Sequence, residues 1–308
     1  MYSKWIKYFL VVIISFSAGG YLWHHELDII KAQLKAAIGE LTNTKNELDY
    51  TKSQLDNSKV ELDFINDTLI IKTAQLEKAA NEKSEMLSQY SNLREQINVR
   101  LGSSSKDMQS FITPGNPSVS AKVKEITGGY SEDVDEYWMD CQRLYRWTVN
   151  NISYSCDSYI PCFPGVISGE FIWRQEYWRM PEETLNDKTG DCEDMAVLLA
   201  SMIRSYNQKE YAVWLLEIAS NTEEKAHLAV AFPVKGGNLT ILDPAGKYYT
   251  GAEYGSIMSK STSVAVSKWL SSWEKSMPGV AITTVFSESI YEEFSSTDEF
   301  LKWVEESD

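Results

Sequence analysis

The hydrophobic pattern changes twice along the chain. Apolar residues run almost unbroken from Tyr8 to Trp23, with Trp5 and Ile6 ahead of them. From Leu27 they thin to a seven-residue repeat. Leu27, Leu34, Leu41, Leu48, Leu55, Leu62, Leu69 and Leu76 stand seven apart, and the register continues through Lys83, Tyr90 and Ile97. Past Leu101 the repeat stops, and shorter stretches with helical or alternating spacing take over.

The first run, about 18 residues, has the minimum length of a membrane-spanning helix. Lys4 and Lys7 precede it, and Tyr8 and Trp23 sit where interfacial aromatics belong. The lysines place the N-terminus in the cytoplasm and everything after the span outside the membrane. Ser15, Ser17 and Ala18 also suit a cleaved signal peptide. Both readings export the rest of the chain.

The repeat predicts a coiled coil with leucine at position a. Its d set is Ile30, Ala37, Thr44, Thr51, Ser58, Ile65, Lys72, Ala79, Met86, Leu93 and Arg100. Polar residues in that set weaken the seam. A parallel homodimer is expected, and a single long helix is the alternative. At 1.5 Å per residue the segment extends roughly 110 Å. Serines, glycine and prolines between Gly102 and Ser120 predict a linker. The expected organisation is an anchor (1–23), a coiled-coil stalk (24–101), a linker (102–120) and a folded domain (121–308).

Within that domain Ser131–Asn151 reads as a helix capped by Ser131. The apolar run Met195–Arg204 is a helix entered through Thr189, Gly190, Asp191, Cys192, Glu193 and Asp194. Tyr211–Ala219, His227–Val234 and Asn238–Asp243 alternate as strands, with a fourth at Val280–Phe286. Helices are expected near Ser263–Lys275 and Thr297–Glu306. A helix followed by an antiparallel meander defines an α+β fold.

The formal charge is −15, and it is uneven. Residues 1–120 carry 13 basic against 14 acidic side chains, which leaves 16 against 30 for residues 121–308. A domain this acidic excludes nucleic acid as its partner, because phosphate binding needs cationic surface. It suits divalent cations, basic substrates or simple solubility. The four cysteines, Cys141, Cys156, Cys162 and Cys192, form no C-x-x-C pair. Cys156 and Cys162 flank a short loop and can either pair in an oxidising compartment or pack as small hydrophobes.

Cys192 stands out because it opens a helix. There the dipole and free N–H groups are expected to lower its pKa and to offer an oxyanion site. It needs a base, and His227 is the histidine that the folded domain contains. His227 shares a strand face with Ala229 and Ala231, whose small side chains are expected to leave a cleft. Asp243 ends the following strand. In a hairpin it comes back to His227 and fixes the tautomer of the ring.

The stretch WRMPEETLNDKTGDCED (178–194), then His227 with Leu228, Ala229, Val230 and Ala231, then Leu242, Asp243 and Pro244, resembles the transglutaminase-like superfamily of microbial cysteine peptidases. Tyr145–Tyr154 is similar to its upstream helix and tyrosine. The resemblance covers about residues 121–260. It implies a papain-like core and a Cys192–His227–Asp243 triad. It offers Trp178, Trp173 and Gln175 as candidates to assist the oxyanion. Acids flanking the cysteine bind calcium in some envelope peptidases of this class, and Asp191 and Glu193 match those places; helix capping and dipole compensation are the preferred reading for both. The resemblance is compatible with a hydrolase acting on peptide or glutamine carboxamide bonds outside the membrane, with a transamidase that cross-links proteins, or with a non-enzymatic envelope scaffold on a coiled coil. Hydrolysis is preferred, since water is always present.

Overall fold

The computed structural model describes residues 22–101, 105–165, 169–170, 172–251 and 255–307. The apolar run read as an anchor lies outside them, except for its last two residues. Among the described residues no helix is long and apolar enough to cross a membrane. The chain divides into two compact units, residues 1–85 and 86–308.

Helix α1 (Leu22–Asn98) is unbroken for 77 residues, as the lack of proline predicts. In the first unit the a-position leucines from Leu34 to Leu76 are 51–71% exposed. Two polar d positions satisfy themselves locally: Thr44 and Thr51 donate their hydroxyls to the Glu40 and Glu47 carbonyls at 2.9 and 2.7 Å.

In the second unit α1 ends and the chain passes through 3-10 turns at Val99–Leu101 and Ser105–Phe111 into α2 (Pro117–Thr127). This is the stretch expected to be a linker. Instead Phe111, Ile112 and Val119 are buried in the main core. Its proline starts a helix. Pro117 takes the first helical position, where it loses no hydrogen bond, and the Asn116 side chain caps the Ser118 and Val119 N–H groups. Next come α3 (Val134–Asn151), β1 (Ser153–Tyr154), β2 (Ile160–Cys162), β3 (Ile172–Arg174), α4 (Pro181–Asp187) and β4 (Thr189–Gly190). The cap of α3 is Asp133, not Ser131; its carboxylate accepts from Glu136 N at 2.9 Å. Cys162 lies in β2 opposite Ile172 while Cys156 is exposed ahead of that strand, and all four cysteines are free thiols. Of the two readings left open for Cys156 and Cys162, the pairing is not made here.

The remainder is α5 (Cys192–Tyr206), β5 (Trp214–Ser220), β6 (Ala226–Val234), β7 (Asn238–Asp243), β8 (Tyr248–Tyr249), β9 (Lys260–Ser261), α6 (Thr262–Trp273), β10 (Val280–Phe286), β11 (Tyr291–Glu293) and α7 (Thr297–Ser307). The architecture is mixed α+β. One antiparallel sheet runs in the order β11-β10-β5-β6-β7-β8, with β9 also on β7. Alternation along β6 sends Leu228, Val230 and Phe232 to the face covered by α5, and Ala229 and Ala231 to the face covered by α6 and α7. The sheet is thus sandwiched between helices. The candidate catalytic residues sit at one end of it.

Candidate active site

Cys192 is the first residue of α5. Gly190 precedes it because nothing larger fits: a Cβ there would lie 2.6 Å from the Asp194 Cβ. The short parallel pairing of β1 with β4 sets Tyr154 against Gly190 and fixes this loop from the other side. The Cys192 thiol donates to Glu193 Oε2 at 3.2 Å. Its pKa departs from expectation. Burial pushes it well above the ordinary value, and the charges of Glu193 and Asp191 and the hydrogen bond to Glu193 add to that; the Leu228 N–H, which reaches the sulfur, opposes the shift. The start of the helix does not offset this burial and the neighbouring acids.

Leu228 follows His227, so the sulfur lies against the strand that carries the imidazole. His227 Nε2 pairs with Asp243 Oδ1 at 2.9 Å, both residues being buried. The hairpin β6–β7 brings them together, with Val230 opposite Leu242. Asp243 Oδ1 also accepts from Gly246 N at 2.7 Å. Asp243 Oδ2 accepts two indole N–H groups, from Trp269 and Trp273, each at 3.0 Å. Tyr145 Oη reaches its carbonyl at 3.4 Å. Trp273 lies over the His227 ring with centroids 3.9 Å apart. The space beside Ala229 and Ala231 is therefore no cleft; Trp269 packs into it.

Three carboxylates converge beside the thiol. One oxygen from each of Asp157, Asp191 and Glu193 lies within 4.8 Å of the others. Asp191 occupies the N-cap of α5 yet makes no side-chain cap hydrogen bond. Its Oδ1 is buried without a partner, and the residue is 9% exposed. Burial, with Asp157 and Glu176 nearby, raises Asp191 to about 6; burial and Asp191 raise Glu193 well above the carboxylate range. Asp194, in the next position of α5, is pushed up to about 8, chiefly by burial. An unpaired buried oxygen amid mutually repelling carboxylates fits an oxygen-ligated divalent cation, and the donors are all hard oxygens. Capping does not account for Asp191.

Of the residues named for the oxyanion, Trp178 packs in the core at 3% exposure against Phe111 and Phe286. Its indole N–H is taken up by Glu176 Oε1 at 3.1 Å, which leaves it no donor for an oxyanion. Trp173 is exposed on β3. Gln175 donates to the Asp157 carbonyl at 3.1 Å, so it supports the acidic cluster. Sequence reasoning missed Asp157, Trp269 and Trp273. Asp157 stands in an irregular stretch without a motif. The tryptophans stand four apart on α6, a spacing that says only that they share a helix face.

Residues 123–270 match the family model of the transglutaminase-like domain. The matched span holds Cys192, His227 and Asp243 together with the three clustered acids. Among solved structures, Legionella pneumophila LapG is 15% identical, covering 66% of this chain and 97% of that one at a TM-score of 0.35. A calcium-bound LapG structure is 16% identical over 61% and 98%, at a TM-score of 0.30. A candidate cysteine protease from Cytophaga hutchinsonii is 13% identical over 63% and 55%, at 0.29. No curated protein matches the chain.

Proposed function

We propose that the domain is a papain-like cysteine hydrolase that cleaves peptide or glutamine carboxamide bonds outside the cell membrane, with Cys192 as nucleophile, His227 as base and Asp243 as its orienting partner. The observation that carries this reading is the 2.9 Å His227–Asp243 pair beside a helix-start thiol. With Nε2 committed to Asp243, Nδ1 is the ring nitrogen left to exchange a proton with the thiol. The thiolate attacks the carbonyl carbon, His227 returns the proton to the leaving amine, and water releases the acyl group. Backbone N–H groups at the start of α5 are the candidate oxyanion donors, since Trp178 has none to give.

Asp157, Asp191 and Glu193 would hold Ca²⁺. When bound, the cation supplies positive charge that offsets the repulsion among them. The apolar run before Trp23 serves as a single membrane anchor with the N-terminus in the cytoplasm, and the heptad leucines of α1 pair two copies in parallel. Both of these rest on the sequence pattern.

The test is alkylation of the full chain by iodoacetamide below pH 7 in Ca²⁺. Ordinary thiols are protonated there; with Ca²⁺ offsetting the neighbouring acids and His227 taking the thiol proton, Cys192 should label ahead of Cys141, Cys156 and Cys162, and His227→Ala should slow it. Equal slow labelling of all four would falsify the enzyme reading. Release of ammonia or a new amine without incorporation of a fluorescent primary amine separates hydrolysis from transamidation.

A further inference from the structure

The last turns of α1 make contacts that a spacer does not need. Tyr90 Oη donates to the Pro164 carbonyl at 2.8 Å, and Arg94 Nε to the Phe163 carbonyl at 3.0 Å. Asn98 exchanges two hydrogen bonds with the Phe163 backbone: Nδ2 to O at 3.2 Å, and Phe163 N to Oδ1 at 3.0 Å. The rings of Tyr90 and Phe163 meet edge-on at 6.4 Å. Just past the helix, the Arg100 carbonyl accepts Trp178 N–H at 2.7 Å. The Arg100 guanidinium donates to Tyr177 Oη at 2.9 Å and pairs with Glu183 at 2.7 Å. Arg174 donates to the Leu101 carbonyl at 3.1 Å.

Most of these partners belong to one segment, the largely irregular stretch between β1 and α4 that carries Asp157. Tyr177 closes the circuit, because its N–H donates to the Asp157 carboxylate. A loop of this length has little regular structure to fix a single carboxylate, and ordering it costs about 1–2 kcal/mol per residue in backbone entropy. The helix end grips this stretch at its middle, Phe163 and Pro164, and near its C-terminal end, at Arg174, Tyr177 and Trp178.

We infer that Tyr90, Arg94, Asn98 and Arg100 are positioning residues for the cation site: they hold the loop so that Asp157 stands against Asp191 and Glu193. The inference rests on the reading of those three acids as Ca²⁺ ligands. It makes the end of the long helix a working part of the site beside Cys192.

The experiment is calorimetric titration of the full chain with Ca²⁺. Partners that orient metal ligands are worth about 10–100-fold in metal affinity. An Arg94→Ala, Asn98→Ala double variant should therefore weaken Ca²⁺ binding at least tenfold, while its thermal midpoint in chelator stays near that of the parent. Asn98→Asp keeps the acceptor for Phe163 N–H and should fall between the two. If the double variant does not fold, Tyr90→Phe removes one bond only and should still weaken binding. Unchanged Ca²⁺ affinity in these variants, with Asp157→Asn defective, overturns the inference. So does a parent chain that takes up no Ca²⁺. In that last case a Cys192 that still alkylates selectively leaves the hydrolase reading standing. An inert Cys192 in a chain whose Ca²⁺ affinity follows Asn98 has the opposite meaning.

Discussion

Asp243 is held from several directions, and its surroundings explain residues that a motif search passes over. Two indoles and one backbone N–H fix the carboxylate so that one oxygen is left facing His227 Nε2. A hydrogen bond to a carboxylate is worth about 1.5–3 kcal/mol. Trp273→Phe keeps a ring over His227 but deletes one donor; the expected result is a lower thermal midpoint and slower alkylation of Cys192. Gly246 has to be glycine for a simple reason. A Cβ would collide with Asp243 Oδ2 and lie 2.8 Å from Trp273 Cζ2. Gly246→Ala should cost about 1–3 kcal/mol, measured by denaturant unfolding. Glu217 gives a pH test away from the triad. Burial, above all, holds its carboxyl above the usual range. Below the unfolded value the group is protonated in both states; as pH rises through the folded value, ionising it costs stability. Glu217→Gln should therefore match the parent in acid and gain on it towards neutral pH. A gain of equal size at every pH would count against burial as the cause.

At the scale of elements, α1 and α5 show two ways of reading a helix. The repeat of α1 puts leucines along a stripe that a single helix leaves in water. Exposing each of them forgoes about 1.5–3 kcal/mol of burial, so a partner strand is the natural cover. Leu55→Asp with Leu62→Asp should convert a dimer to monomers in sedimentation of the full chain; a parent that already sediments as a monomer rejects the coiled coil. Helix α5 was legible in another way. Gly190, the acids of the first turn and the apolar run behind them all point to a helix start at Cys192. Burial first, and the same acids second, reverse the expected shift of the thiol.

For the molecule as a whole, the boundary of the folded unit matters most. It begins at Met86, and Phe111, Ile112 and Val119 belong to its core. Removing one large buried side chain costs about 3–5 kcal/mol, which is much of a domain's stability. A chain cut to residues 121–308 should be unfolded by circular dichroism, while residues 86–308 should melt cooperatively. Ca²⁺ at a hundredfold excess over its dissociation constant adds about 2.7 kcal/mol, so the melting point of the full chain should rise in Ca²⁺ and fall in chelator. A midpoint indifferent to both removes the cation from the proposed function.

The sequence by itself determined what local periodicity and local chemistry control. It marked the heptad helix, the helix at Cys192, the strands bearing His227 and Asp243, and the late strand Val280–Phe286. Those signals lie within a turn or a strand's length of each residue. Only the tertiary structure decided which distant groups meet. It placed β10 beside β5 rather than beyond β7, drew Phe111, Ile112 and Val119 into the core, set Asp157 against Asp191, and aimed Trp269 and Trp273 at Asp243. None of these has a spacing to read, because burial and long-range hydrogen bonding select them after the elements exist.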